Sequence, residues 1–163
     1  MKKSFSLIET IVAISILTIG ILGISFLISS QIASIHFSEN KLIAAYLAQE
    51  GIEIVRNIRD TNWLKGESWD SNLDTSGTPR FNFDWRSQKI PDDDNCSGKN
   101  YLKFNSFLYE CSLDSPNKLQ RKIQISHPGG NNDIMEIKII VSWREKGKTH
   151  KYSLTGRLYN WRK

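Results

Sequence analysis

Residues 4–37 read SFSLIETIVAISILTIGILGISFLISSQIASIHF, and this stretch decides what kind of protein the chain can be. Between Thr10 and Phe37 it contains no Asp, Glu, Lys or Arg. A helix needs roughly 20 apolar residues to cross a bilayer, so the run is long enough to span one. Lys2 and Lys3 precede it and no cation stands immediately behind it. That asymmetry puts the N-terminus on the cytoplasmic side and the chain after about Glu39 outside. A removable signal peptide would have an apolar core of about 7–15 residues ending at a small-residue box. Here the run is longer, and Gln31 to Ser34 make a poor box. An ordinary single-pass anchor stays open on hydropathy alone. Glu9 suits neither. A charged side chain costs roughly 2.5–3.5 kcal/mol at mid-membrane and less near the interface, and carboxylates inside membranes are candidates for function. On position alone, Glu9 reads equally well as a side chain reaching back to the cytoplasmic headgroups.

The order of residues Ser4, Phe5, Ser6, Leu7, Ile8, Glu9 resembles the processing and methylation motif of type IV prepilins and type II secretion pseudopilins. In that family a short basic leader ends in a small residue, usually Gly; Phe follows, and Glu is the fifth mature residue. The resemblance implies a leader from Met1 to Ser4, cleavage between Ser4 and Phe5, and N-methylation of Phe5 by a prepilin peptidase. The chain departs from the pattern in having Ser4 where Gly is usual. The resemblance further implies subunit assembly through Phe5 and Glu9, the Glu9 carboxylate pairing with the Phe5 ammonium of a neighbour. A buried charge is tolerated only when paired and hydrogen-bonded, so such a pair would fix the axial register. The implied partners are other pilin subunits, the peptidase, an inner-membrane assembly platform, and lipid before assembly. The implied location is the bacterial cytoplasmic membrane, single-pass with the N-terminus inside, and then an extracellular or periplasmic filament.

Beyond the apolar run the helical pattern continues. Ile43, Leu47, Ile54 and Ile58 share a stripe, with Ala44, Ala48 and Val55 beside it, while Glu39, Gln49, Glu50, Glu53, Arg56 and Asn57 fall largely off it. This is the spacing of a helix lying on a core. Asp60, Thr61 and Asn62 read as its stop, giving one helix from about Ser6 to Arg59. Gly20 and Gly23 read either as close-packing positions or as a place for local unwinding. The expected fold is α+β. A leader (1–4) and a transmembrane and polymerisation helix (5–37) lead into an amphipathic continuation (38–62), packed on an exported globular domain with an antiparallel sheet (63–163).

Within that domain, Trp63 to about Asn100 reads as a long polar loop with a short strand around Arg80 to Trp85. Phe104 to Leu113 reads as a strand. Leu119 to Ser126, Ile134 to Trp143 and Thr149 to Trp161 form a three-stranded meander, turning at His127 to Asn132 and at Arg144 to Lys148. Cys96 and Cys111 are the only cysteines. On the exported side a disulfide is the favoured reading, with two separately buried cysteines as the alternative.

No catalytic or cofactor motif is present. His36, His127 and His150 stand apart, and no phosphate loop or zinc-ligand spacing occurs. Asp92 and Asp94 are a weak calcium candidate, since their run lacks the spacing of a calcium loop and reads better as a solvated acidic loop. Charge is uneven. Residues 5–98 carry 7 basic and 12 acidic side chains, a net of −5, whereas residues 99–163 carry 13 and 5, a net of +8. Cations including Lys118, Arg121, Lys122, Lys138, Arg144, Lys146, Lys148 and Lys151 collect on the expected sheet, with Trp143, Tyr152, Tyr159 and Trp161 among them. Arg144, Lys146 and Lys148 are a weak nucleic-acid candidate. Solvated strand positions protected by lysine are the simpler reading. The sequence therefore points to a minor pilin of a type IV pilus-like filament, with no chemistry of its own. A type II secretion pseudopilin is the alternative within the class. Outside it stands a permanently membrane-anchored module that binds DNA or an anionic surface polymer.

Overall fold

The computed structural model describes residues 6–81, 83–91, 96–116 and 118–162. One helix, α1 (Leu7–Lys65), is followed by β1 (Tyr101–Asn105), β2 (Leu108–Ser112), β3 (Gln120–Ser126), β4 (Ile134–Glu145) and β5 (Lys148–Tyr159). The architecture is α+β, a long apolar N-terminal helix followed by an antiparallel sheet. The chain divides into two units, Met1–Glu39 and Asn40–Lys163.

In the first unit the helix carries its large apolar side chains outward. Ile8, Leu17, Leu22 and Phe26 are 65%, 64%, 64% and 75% exposed. Its best 18-residue window has a mean hydropathy of 2.7 and none of it is buried. The hydroxyls in this stretch are satisfied locally. Ser15, Thr18, Ser25 and Ser29 each donate to the carbonyl four residues back, at 2.7–3.0 Å. Such bonds let a polar side chain sit in an apolar setting without a partner from outside the helix. Gly20 and Gly23 lie within continuous helix, and no unwinding occurs there.

In the second unit, α1 presents Ala44, Leu47, Ala48, Val55 and Ile58 to the inner face of the sheet, all at most 3% exposed. The facing residues of β4 are Met135, Ile137, Ile139, Val141 and Trp143, none above 2%. Alternation with a period of two puts these on one side and Glu136, Lys138, Ile140, Ser142 and Arg144 on the other. Small residues set the distance between the layers. A Cβ added at Gly51 would lie 3.1 Å from Ile139 Cδ1, and one at Gly156 would lie 3.1 Å from Ile52 Cδ1. The sheet order is β3-β4-β5, all antiparallel. A two-residue turn at Lys146 and Gly147 (φ 47° and 79°) joins the last two strands, the left-handed pair that a tight hairpin requires.

Three expectations need correction. The helix does not stop at Asp60–Asn62 but runs to Lys65. The terminator is Gly66 (φ 74°), whose amide donates to the Trp63 carbonyl while that of Glu67 donates to Asn62, a left-handed glycine cap. Asn62 is buried, and its amide donates to the Ser71 carbonyl at 2.6 Å, fastening the following loop. Among the described residues of Arg80 to Trp85 no strand forms. Instead Arg80 and Ile123 exchange backbone bonds of 2.7 and 2.8 Å, and Gly77 donates to Ile125, so the loop is stitched along the open edge of β3. The single strand expected over Phe104–Leu113 is a hairpin, β1–β2, turning at Ser106 and Phe107.

Arg121 was expected among the surface cations of the sheet, yet it is 2% exposed. Its guanidinium donates to Glu50 Oε2 (2.7 Å), to the Leu47 carbonyl (3.1 Å) and to the Phe83 carbonyl (3.5 Å), and lies 4.3 Å from the Phe83 ring. Helix, loop and sheet meet there. Glu50 keeps 29% of its side chain exposed and Arg121 only 1%. Removing the glutamate therefore strands a buried charge, whereas removing the arginine leaves a carboxylate that reaches water. Glu50→Ala is expected to lower stability by about 3–5 kcal/mol, and Arg121→Met by clearly less. Urea unfolding of the detergent-solubilised chain measures both.

Candidate assembly site

The sequence places the functional chemistry at the start of α1. Ser6 precedes the helix, and its carbonyl accepts the amides of Glu9 (3.0 Å) and Thr10 (3.2 Å). Glu9 thus lies in the first turn, where a carboxylate interacts favourably with the helix dipole. It is exposed, in a unit whose neighbouring apolar side chains are exposed too. Ser4 and Phe5, the expected cleavage and methylation residues, lie outside the described residues, as do the calcium candidates Asp92 and Asp94.

The other candidates lie in the second unit. Cys96 and Cys111 form a disulfide, with Cα atoms 5.4 Å apart and a sequence separation of 15. It ties the loop to β2. Beside it the Asp84 carboxylate, fully buried, accepts the Arg86 guanidinium at 2.8 Å and the Cys111 amide at 3.3 Å. Burial pushes the Asp84 carboxyl up, but the Arg86 side chain and amide, the Cys111 amide and the Arg86 charge outweigh it and hold the group below the ordinary carboxylate range. Asp74 is also lowered, chiefly by the Ser76 hydroxyl, against a smaller opposing effect of burial, with help from the Ser76 amide and Arg80. Neither aspartate carried a sequence signal; what distinguishes them is the arginine each meets after the loop folds.

Arg144, Lys146 and Lys148 are exposed around the β4–β5 turn. The structure does not set the expected rings beside them. Trp143 is in the core and Tyr152 packs against it, while Trp161 meets Trp63 edge-on at 4.9 Å.

Residues 1–25 match the family model of the prokaryotic N-terminal methylation motif. The chain thus carries the type IV pilin-family signature, and that signature, joined to an apolar N-terminal helix, is that of a pilin-like or pseudopilin protein. The motif points to a structural subunit and to prepilin-peptidase processing alongside other pilin subunits, and with the apolar helix it fits a membrane-anchored protein that later joins a filament. No curated protein and no solved structure gives a match to the chain.

The two lowered aspartates make loop attachment sensitive to acid. A folded-state pKa below the unfolded value contributes stability that is present above about pH 4 and lost as pH falls through the folded value. Stability measured from pH 6 downward should therefore fall, and Asp84→Asn should flatten part of that slope while lowering stability at neutral pH.

Proposed function

We infer that this chain is a minor pilin of a type IV pilus-like filament. The observation that carries the reading is the coincidence of the methylation motif at 1–25 with a helix whose apolar side chains from Leu7 to Ile35 are all outward-facing, interrupted by one carboxylate, Glu9. In this reading the chain is inserted with its N-terminus inside, cut between Ser4 and Phe5, and methylated on Phe5. An inner-membrane assembly platform then passes it from lipid into the filament. Residues 5–37 polymerise, 38–62 brace the exported domain, and 63–163 form the filament surface.

The chemistry of the transfer lies in Glu9. In the membrane it stands near the headgroups, where it remains hydrated. In a helical bundle it would be dry, and the Phe5 ammonium of a neighbour offers both a charge and hydrogen-bond donors. Only one axial offset brings the two together, so the pair selects register as well as offsetting the cost of burial.

Two outcomes are expected. The intact mass of filament-derived chain should lack residues 1–4 and include one added methyl group; material still holding Lys2 and Lys3 would contradict the processing. Glu9→Leu should insert normally yet leave the neighbouring ammonium unpaired, lowering incorporation by about tenfold or more, with Glu9→Asp milder. Quantitative blotting of sheared filaments against membrane fractions reads this, and equal incorporation of Glu9→Leu and the parent would contradict the pairing.

A further inference from the structure

The helix covers one face of the β3–β4–β5 sheet, and the other face carries a charge pattern of its own. Strand register places Gln124 beside Lys138 and Lys138 beside Thr155; the next row holds Lys122, Ile140 and Ser153. The row beyond it holds Gln120, Ser142 and Lys151, with Arg144 past it on β4. At strand spacings of about 4.8 Å across and 3.4 Å along, Lys122, Lys138, Lys151 and Arg144 spread over a face about 10 Å by 20 Å. Among the described residues of this face the only acid is Glu136, and it is engaged by Arg157 at 2.8 Å. The charge is therefore uniformly positive and flat.

Two further features narrow the partner. The rings at this face stand at its margins: Phe81 lies under the Lys122 ammonium at 4.6 Å and Tyr159 at the end of β5 away from Arg144, while Trp143 and Tyr152 face the core. Successive bases of a single strand stack on a row of open rings, and among the described residues no such row runs between these cations. The residues set between the cations are Gln120, Gln124, Ser142, Ser153 and Thr155, each both a donor and an acceptor. Their acceptors have no use against a phosphodiester backbone, which offers none of the donors they need. They suit a partner that carries anionic groups and hydroxyls together.

We propose that the outer face of the β3–β4–β5 sheet binds a linear acidic polysaccharide. The lysines and Arg144 attract its carboxylates, and the interleaved amides and hydroxyls exchange hydrogen bonds with its ring hydroxyls. This rests on the filament reading only in requiring that residues 40–163 be exported.

The test uses the full chain in neutral detergent, titrated at low salt with polygalacturonate, with the same polymer methyl-esterified, and with a short DNA duplex. The acidic polymer should bind, and its affinity should fall as salt screens the face. The neutral ester should bind at least tenfold more weakly. Lys138→Glu with Lys151→Glu should lower affinity for the acid by about tenfold or more, about 1.4 kcal/mol. Gln124→Ala with Thr155→Ala, which leaves the charge unchanged, should weaken polygalacturonate and leave the duplex unaffected. The proposal is overturned if polygalacturonate does not bind, if its ester binds equally, if the duplex binds as tightly, or if either double variant leaves polygalacturonate affinity unchanged. Both variants should enter filaments normally. Loss of the charge-reversed variant from filaments would instead make this face a subunit contact, overturning the proposal while leaving the filament reading intact.

Discussion

A single helix has to satisfy two different surroundings, and the rest of the structure follows from that constraint. From Leu7 to Ile35 it exposes sixteen large apolar side chains. At roughly 0.3–0.6 kcal/mol each on the insertion scale, these outweigh the roughly 2.5–3.5 kcal/mol that one charge such as Glu9 costs at mid-membrane, and Glu9 lies near an end. The helix is therefore stable in lipid despite its carboxylate. It is equally able to leave lipid for other apolar helices, because dispersion and packing replace what the tails supplied. In water alone this surface would have nothing to cover it.

From Asn40 onward the helix is packed closely within the second unit. Ala44, Ala48 and Gly51 bring it close to β4, and Gly156 makes room for Ile52 from β5. Arg121 then joins α1, the loop and β3 through one guanidinium. The described residues of the long loop from Gly66 to Asn100 are consequently tied down at several points. Asn62 holds its beginning, the β3 edge its middle, and Asp84 with the disulfide its end. Of the loop's polar contacts, those of Asp74 and Asp84 depend on ionised carboxylates, so acid should loosen the loop there while the disulfide and the sheet persist.

Much of this could be read from residues alone. The apolar run, the stripe through Leu47 and Ile58, and the alternation in β3 and β4 each follow from periodicity, and the structure shows the helix and sheet they imply. The motif around Glu9 was legible because its residue types and spacing are specific. What periodicity cannot carry is long-range pairing. Asn62 resembled a helix stop because its side chain competes for backbone in local conformations; here it bonds to the loop from within the last turn. Arg80 resembled the start of a strand, and it does pair with Ile123, but the core then takes Phe83 and turns the chain. Arg121 occupied an inward position in the alternating pattern and was still counted with the surface cations, since its partner Glu50 lies 71 residues away. Gly66 was a legible signal that the stop reading overrode.

In this reading the exposed half of α1 becomes the contact with neighbouring subunits. Single cysteines at Ile16 and Ile24, introduced one at a time and oxidised in sheared filaments, report on it directly, since Cys96 and Cys111 are already bonded to each other. The structure predicts that these thiols are shielded from a water-soluble alkylating reagent in filaments, and that oxidation links chains in pairs wherever two copies adjoin, since one free thiol per chain allows one bond. Chain that is present in filaments yet stays monomeric, with both thiols open to that reagent, would contradict it.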